Sequence, residues 1–146
     1  MSLFGFGTIN GQLKERVSLY PEPVLTAARR NMELYKRYRH LLQHDCHELL
    51  PTSSAGNGKG QGEWQAVQFV SPSGQEAVLL AFRAESPQET VQLQFRGLRS
   101  EGNYDVHFAN GNRSDSKAKG GELLSKGISI SLEKPHMSEV VLIRMS

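Results

Sequence analysis

The chain of 146 residues contains one cysteine, Cys46, and one tryptophan, Trp64. A lone cysteine excludes an intramolecular disulfide, so the fold has to be held by its core. A chain of this length can bury roughly two-thirds of its unfolded surface, enough to need neither metal nor cross-link. No apolar stretch approaches the roughly 18 residues of a membrane-spanning helix, and no membrane partner is expected. The N-terminus has no basic segment followed by an apolar core, so it does not read as a signal peptide; this fits a cytoplasmic location. Neither sign of charge is in excess: 17 Lys and Arg oppose 15 Asp and Glu, for a net +2. The basic residues are scattered rather than clustered, which argues against a nucleic-acid face.

Catalytic signatures are absent too. There is no Gly-x-Ser-x-Gly, and Cys46 has no loop base beside it. Near the N-terminus Gly5, Gly7 and Gly11 approach a dinucleotide fingerprint, but the third glycine falls one residue late and no complete strand precedes it. In residues 52–63 the glycines alternate from Gly56 to Gly62, yet Lys59 is followed by Gly60 rather than Ser or Thr, so this is a flexible loop and not a phosphate loop. Asn112-Arg113-Ser114 fits a glycosylation acceptor, without a secretion signal to support it. No catalytic residue and no cofactor is assigned.

What is present is a set of strands. Ala77 to Phe82 is an unbroken apolar run between Pro72-Ser73-Gly74 and Ser86-Pro87. A run so short, bounded by turn formers, suits a central strand covered on both faces, with Phe82 as a core residue. Trp64 to Val70 precedes it. Thr90 to Arg96 alternates, with Val91, Leu93 and Phe95 on one face and Gln92, Gln94 and Arg96 on the other. Asn103 to Ala109 alternates likewise and ends in Asn110-Gly111, a hairpin signal. Residues 111–121 read as a polar, mobile stretch and Glu122 to Leu124 as a short apolar turn. Ile128 to Leu132 and the almost wholly apolar Glu139 to Met145 complete six strands, the last of them central. The expected fold is mainly β, an antiparallel β-sandwich of Greek-key type.

One long helix precedes the strands. Pro21 and Pro23 suit a first turn, Glu22 favours the positive end of the dipole, and Val24, Leu25, Ala28, Met32, Tyr35 and Leu42 recur at helical spacing. Read over residues 21–43, the helix would span roughly 35 Å, long for so small a β unit. Its other face carries Arg29, Arg30, Glu33, Lys36, Arg37 and Arg39, read as a solvated face. His40 and His44 lie four apart with His47 one turn on, which makes them weak candidate metal ligands, although the Glu of a His-Glu-x-x-His site is missing. The preferred account of these histidines is a cationic helix C-terminus, with Cys46 and Leu49 packed inward. Trp64 is a weak candidate for a sugar-stacking platform; a core anchor is the plainer expectation for it. The expected division is an N-terminal segment and helix at 1–50, a Gly-rich loop at 51–63 and a β domain at 64–146.

The order of these features carries a resemblance. Tyr35-Lys36, Arg39, Asp45 and Leu49-Leu50-Pro51 come before Trp64-Gln65-Ala66, Gln68-Phe69, Ala77-Val78 and Phe82-Arg83. Leu93, Arg96-Gly97-Leu98, Tyr104, Val106, Gly121 to Leu124, Gly127-Ile128 and the terminal apolar strand follow. Over about residues 20–145 this resembles the C-terminal end of α-galactosidases of glycoside hydrolase family 36. There, a Tyr-Lys-x-x-Arg helix closes the catalytic barrel and a small antiparallel β domain follows. The family's Gly-Asp before an aromatic pair reads His44-Asp45-Cys46-His47 here.

The resemblance implies a retaining α-galactosidase-type parent whose two catalytic aspartates lie upstream. By the same resemblance, this chain is a non-catalytic C-terminal domain that braces the barrel, and it begins partway through a larger protein. Its partner is then the upstream barrel or, through the residue 21–43 helix, a second copy. The alternatives are a carbohydrate-binding module, which an exposed Trp64 would support, and a free-standing dimerising interaction domain.

Overall fold

A computed structural model describes residues 20–50, 64–111 and 113–146. The phosphate-loop and Gly-rich-loop readings, and Asn112 of the glycosylation triplet, fall outside them. The chain divides into two compact units, Met1–Arg37 and Tyr38–Ser146.

In the first unit the described residues form most of helix α1, Glu22–Tyr38. Glu22 sits in its first turn and Lys36 and Arg37 in its last, each matched to the helix dipole. Arg29 pairs with Glu22 at 2.9 Å and Lys36 with Glu33 at 2.7 Å, both solvent-exposed. Such pairs contribute little. Val24, Met32 and Tyr35, on the apolar stripe, are 45%, 53% and 41% exposed.

The helix is shorter than the sequence suggests. It gives way at Arg39 to a 3-10 helix, Arg39–Gln43, and then to strand β1, Asp45–Glu48. Two local causes compete with helix propensity here. Tyr38 and Leu41, three apart, are both buried; three-residue spacing is the repeat of a 3-10 turn. Next, Asp45 to Glu48 pair antiparallel with Val70 to Val67 at the sheet edge. Cys46 is exposed rather than packed inward. Leu49 does pack against the core, half-buried.

The second unit is an antiparallel β-sandwich. Its large sheet contains β1, β2 (Trp64–Val70), β3 (Glu76–Arg83), β5 (Asn103–Phe108), β6 (Ser116–Lys119) and β8 (Ser138–Met145), in the order β1-β2-β3-β8-β5-β6. The small sheet pairs β4 (Thr90–Leu93) with β7 (Ile128–Ser131). A short helix α2, Gly120–Ser125, lies between β6 and β7. Central positions for β3 and β8 follow from their apolar composition: a strand flanked on both sides has no polar edge to offer. The stretch 111–121, read as mobile, contains β6, paired with β5 from Asn103↔Lys119 to Val106↔Ser116.

The core is built by period-two alternation. Trp64, Ala66 and Val70 of β2, Ala77, Leu79 and Ala81 of β3, Tyr104, Val106 and Phe108 of β5, and Val141 and Ile143 of β8 form one buried cluster with Leu93, Phe95, Ile128, Ile130 and Leu132. Phe82 is not in that cluster. It lies on the opposite face of β3, half-buried, with its ring 6.5 Å from that of His136. On this opposite face Val78 is fully buried, and the 3-10 helix packs on β2 and β3.

Polar groups inside the sandwich are held by backbone. The fully buried Gln68 donates to the Arg96 carbonyl at 2.6 Å and accepts from the Arg96 N–H at 2.9 Å, completing both groups where β4 has ended. Tyr104 donates its hydroxyl to the Gly74 carbonyl at 2.6 Å and accepts from the Arg99 N–H at 2.8 Å. Arg83, 4% exposed, donates to the carbonyls of Ser86 and Leu132.

Candidate functional site

The three histidines do not converge. His40 lies in the 3-10 helix, His44 caps its end, and His47 is in β1. The break in the helix removes the shared face that helical spacing would have created. No group of three or more His, Cys, Asp or Glu that could hold a metal occurs among the described residues. His40 instead shares Glu76 with Arg144. Its Nε2 lies 2.9 Å from one carboxylate oxygen, and Arg144 donates to the other at 2.8 Å. The bond to His40 in particular holds the Glu76 carboxyl below its ordinary value, against the opposing effect of burial. This triad ties the segment after α1 to the start of β3.

Trp64 is buried, at 8% exposure, and its ring N–H donates to the Gln88 carbonyl at 2.8 Å. Both facts belong to a core anchor: the indole body packs inside and its one polar atom is satisfied.

The feature with unused chemical capacity lies elsewhere, where strands of both sheets meet. Glu139, the second residue of β8, has the same parity as Val141 and Ile143, so its side chain enters the sandwich, 1% exposed. One of its oxygens accepts from the N–H groups of Asn110 at 3.0 Å and Val140 at 2.9 Å. The other, Oε2, is buried with no hydrogen-bond partner. Glu139 also lines a pocket of about 160 Å³ with Phe108, Arg113, Ser129, Ile130 and Ser131.

The pocket wall is fixed from several directions. Asp115 lies 2.7 Å from His107 Nδ1 and accepts from the Phe108 N–H at 3.2 Å, pinning the start of the loop after β5. Asn110 donates its side-chain amide to the Ser138 carbonyl at 2.7 Å, pinning that loop to β8. Arg113 then lies over the Phe108 ring, 5.6 Å from its centre, within cation–π range.

Sequence reasoning did not find this pocket. The available signal was a lone carboxylate at an inward position of an otherwise apolar strand, an arrangement that requires an explanation wherever it occurs.

Comparison with known proteins places the β unit. Residues 64–143, more than half of the chain, match the model of the glycosyl hydrolase family 36 C-terminal domain. No curated protein sequence matches. Among solved structures the chain is similar to α-galactosidase AgaA from Geobacillus stearothermophilus, with 22% identity and a TM-score of 0.70 over 89% of this chain and 17% of that one. It is similar to the galactosidase domain of the α-galactosidase-sucrose kinase AgaSK, with 20% identity and a TM-score of 0.69 over 88% and 17%. It is similar to an α-galactosidase from Lactobacillus brevis, with 16% identity and a TM-score of 0.68 over 89% and 18%. The chain thus spans less than a fifth of each of these proteins. With its antiparallel sandwich and the family match across it, the chain belongs to the glycosyl hydrolase family 36 C-terminal domains.

Proposed function

We propose that this chain is the non-catalytic C-terminal β domain of an α-galactosidase-like glycoside hydrolase, and that it braces a catalytic barrel. The observation that carries the reading is the family match over residues 64–143, in a chain whose structural match covers only 17% of AgaA. The exposed apolar stripe of α1 supports it, because such a stripe requires a cover. A barrel surface upstream in the same protein is the cover that the family relationship suggests. On this reading the substrate is a terminal α-galactoside and the carboxylates that cleave it belong to the barrel.

The purified chain is therefore expected to leave an aryl α-galactoside intact, and to raise the thermal stability of the family barrel when the two are joined. Hydrolysis that co-purifies with the chain would overturn the non-catalytic reading. A barrel equally stable and active with and without the chain would overturn the bracing role.

A further inference from the structure

We propose that Asn110 is a site of spontaneous deamidation whose rate is set by the fold, and that its conversion to aspartate or isoaspartate releases the loop between β5 and β6 from β8. This is covalent chemistry of the chain itself and does not rest on the bracing role.

The sequence contains three Asn-Gly pairs, Asn10-Gly11, Asn57-Gly58 and Asn110-Gly111, and the last lies among the described residues. In such a pair the glycine's backbone nitrogen can attack the Asn side-chain carbonyl carbon, Cγ, because the glycine has no Cβ to hinder it. The nitrogen gives its proton to hydroxide as its bond to Cγ forms. The Cγ–Nδ2 bond then breaks, and Nδ2 takes a proton from water and leaves as ammonia. Water opens the resulting five-membered imide at either carbonyl. Opening at Cγ gives aspartate; opening at the main-chain carbonyl gives isoaspartate. The net change is amide plus water to acid plus ammonia, with no redox partner.

The fold leaves room for the ring to close. Asn110 and Gly111 are both exposed, and a Cβ built on Gly111 would meet nothing within 4 Å. What the fold opposes is the approach of the two reacting groups. The Gly111 N–H donates to the Phe108 carbonyl at 3.2 Å, closing the turn. Nδ2 of Asn110 donates to the Ser138 carbonyl at 2.7 Å, drawing the side chain toward β8. The turn is itself anchored: the Ala109 N–H donates to the Val140 carbonyl at 2.9 Å, and Asp115 accepts from the Phe108 N–H at 3.2 Å. Attack therefore waits for local opening of the loop. Each hydrogen bond of this kind biases the loop roughly two- to tenfold toward its closed form, so the two held by the reacting groups slow the reaction roughly ten- to a hundredfold relative to a free peptide.

Conversion acts on the buried carboxylate of Glu139. The Asn110 N–H is one of its two backbone donors, at 3.0 Å, and the Val140 N–H is the other, at 2.9 Å. An acid at position 110 puts a second carboxylate on a residue that holds the first. It also replaces the Nδ2 donor to Ser138 by acceptor oxygens. Neighbouring carboxylates repel, and two acceptors facing each other cannot bond. The modified loop is therefore expected to leave β8, with Glu139 keeping the Val140 N–H. The bonds that slow the reaction are the ones it destroys, so a converted loop does not close again.

The test is to incubate the full chain, and a free peptide of residues 107–114, in the same mildly alkaline buffer. Peptide mapping by mass and chromatography separates Asn110 from its aspartate and isoaspartate products. The expected result is first-order conversion at Asn110, roughly ten- to a hundredfold slower in the chain than in the peptide. Asp115→Ala removes an anchor of the turn and is expected to raise the rate in the chain several-fold. Urea below the unfolding transition should do the same in the native chain, which keeps the gating testable if Asp115→Ala fails to fold. Asn110→Asp fixes one product, whereas Asn110→Gln keeps an amide donor and closes an imide far more slowly. Asn110→Asp is expected to shift the Val140 amide resonance and to lower the unfolding midpoint relative to Asn110→Gln. Four outcomes would overturn the proposal. They are conversion as fast in the chain as in the peptide; no conversion in the time that a reaction roughly a thousandfold slower than the peptide's would need; a rate unmoved by both urea and a folded Asp115→Ala; or a Val140 resonance and midpoint unchanged in Asn110→Asp.

Discussion

Leu79 and Phe82 lie three apart in the same strand and should respond differently to truncation. Leu79 is fully buried in the inter-sheet cluster. Leu79→Ala is expected to cost about 2–5 kcal/mol, the range for a buried leucine that leaves a cavity. Phe82 is half-buried on the other face, so Phe82→Ala should cost less than Leu79→Ala although it removes more atoms. Denaturant midpoints of the two variants check the order. The sequence could not separate them, because an unbroken apolar run from Ala77 to Phe82 has no period from which to read a face. Where polar residues alternate, as in Val91, Leu93 and Phe95, the inward set was legible: Leu93 and Phe95 are buried and Val91 packs against the core. Glu76 gives a pH prediction. The bond to His40 and the nearby Arg144 hold its folded-state carboxyl below the ordinary value. Its contribution to stability is therefore present above the ordinary glutamate value, about 4.3, and is lost as pH falls through the lowered folded value. The stability difference between the native chain and Glu76→Gln should accordingly close as pH falls below the ordinary glutamate value, about 4.3. A difference that failed to close below the ordinary glutamate value, about 4.3, would contradict the assignment.

At the scale of elements, the strands that the sequence revealed are those that bury one face or both. The two it concealed, β1 and β6, are the edges of the large sheet. Their sequences, Asp-Cys-His-Glu and Ser-Lys-Ala-Lys, are mostly exposed and show no apolar alternation. Charged edges of this kind deter pairing with another chain, and the same charges hide the strand from a hydrophobic pattern. The helix end was misread for a related reason: His40 to Glu48 contains residues that a helix tolerates, and only pairing with β2 decides against it. The turn from α2 into β7 was half-legible, as a glycine before an alternating run. Gly127 has a φ of +70°, and a Cβ there would lie 1.9 Å from the Leu93 carbonyl oxygen. It is the left-handed residue that ends α2, its N–H donating to the Glu122 carbonyl at 2.9 Å. Gly111 has a φ of +72° with open space around it. Gly111→Ala should cost only the conformational penalty, about 1–2 kcal/mol. Gly127→Ala should cost clearly more, because the backbone of the small sheet must also move. Equal melting temperatures for the two variants would show that the close approach at Leu93 carries no weight.

For the molecule as a whole, the open question is what covers helix α1. Its exposed stripe runs through Val24, Met32 and Tyr35, with Tyr20 just ahead of it at 57% exposure. Those positions are spaced for one helical face. A helix of 17 residues is marginal in water by itself, since most helical stability in proteins comes from packing an amphipathic face. A family brace would find that packing on the barrel. Without the barrel, the surface most readily available is the same stripe on a second copy, and a two-fold pair buries it against itself. The isolated chain is therefore expected to dimerise at micromolar concentration, with Met32→Glu shifting it to monomer in sedimentation. The same substitution should leave the unfolding midpoint of the β domain unchanged, because Met32 belongs to the other compact unit. Hydrogen exchange adds a second reading: the amides of α1 should be protected in the dimer and exchange rapidly in the Met32→Glu monomer, while those of β3 and β8 stay protected in both. A monomeric chain whose α1 amides are nonetheless protected would mean that the helix already has its cover within this chain. In that case the stripe would no longer support a docking role toward a barrel, and the bracing reading would rest on the family match alone.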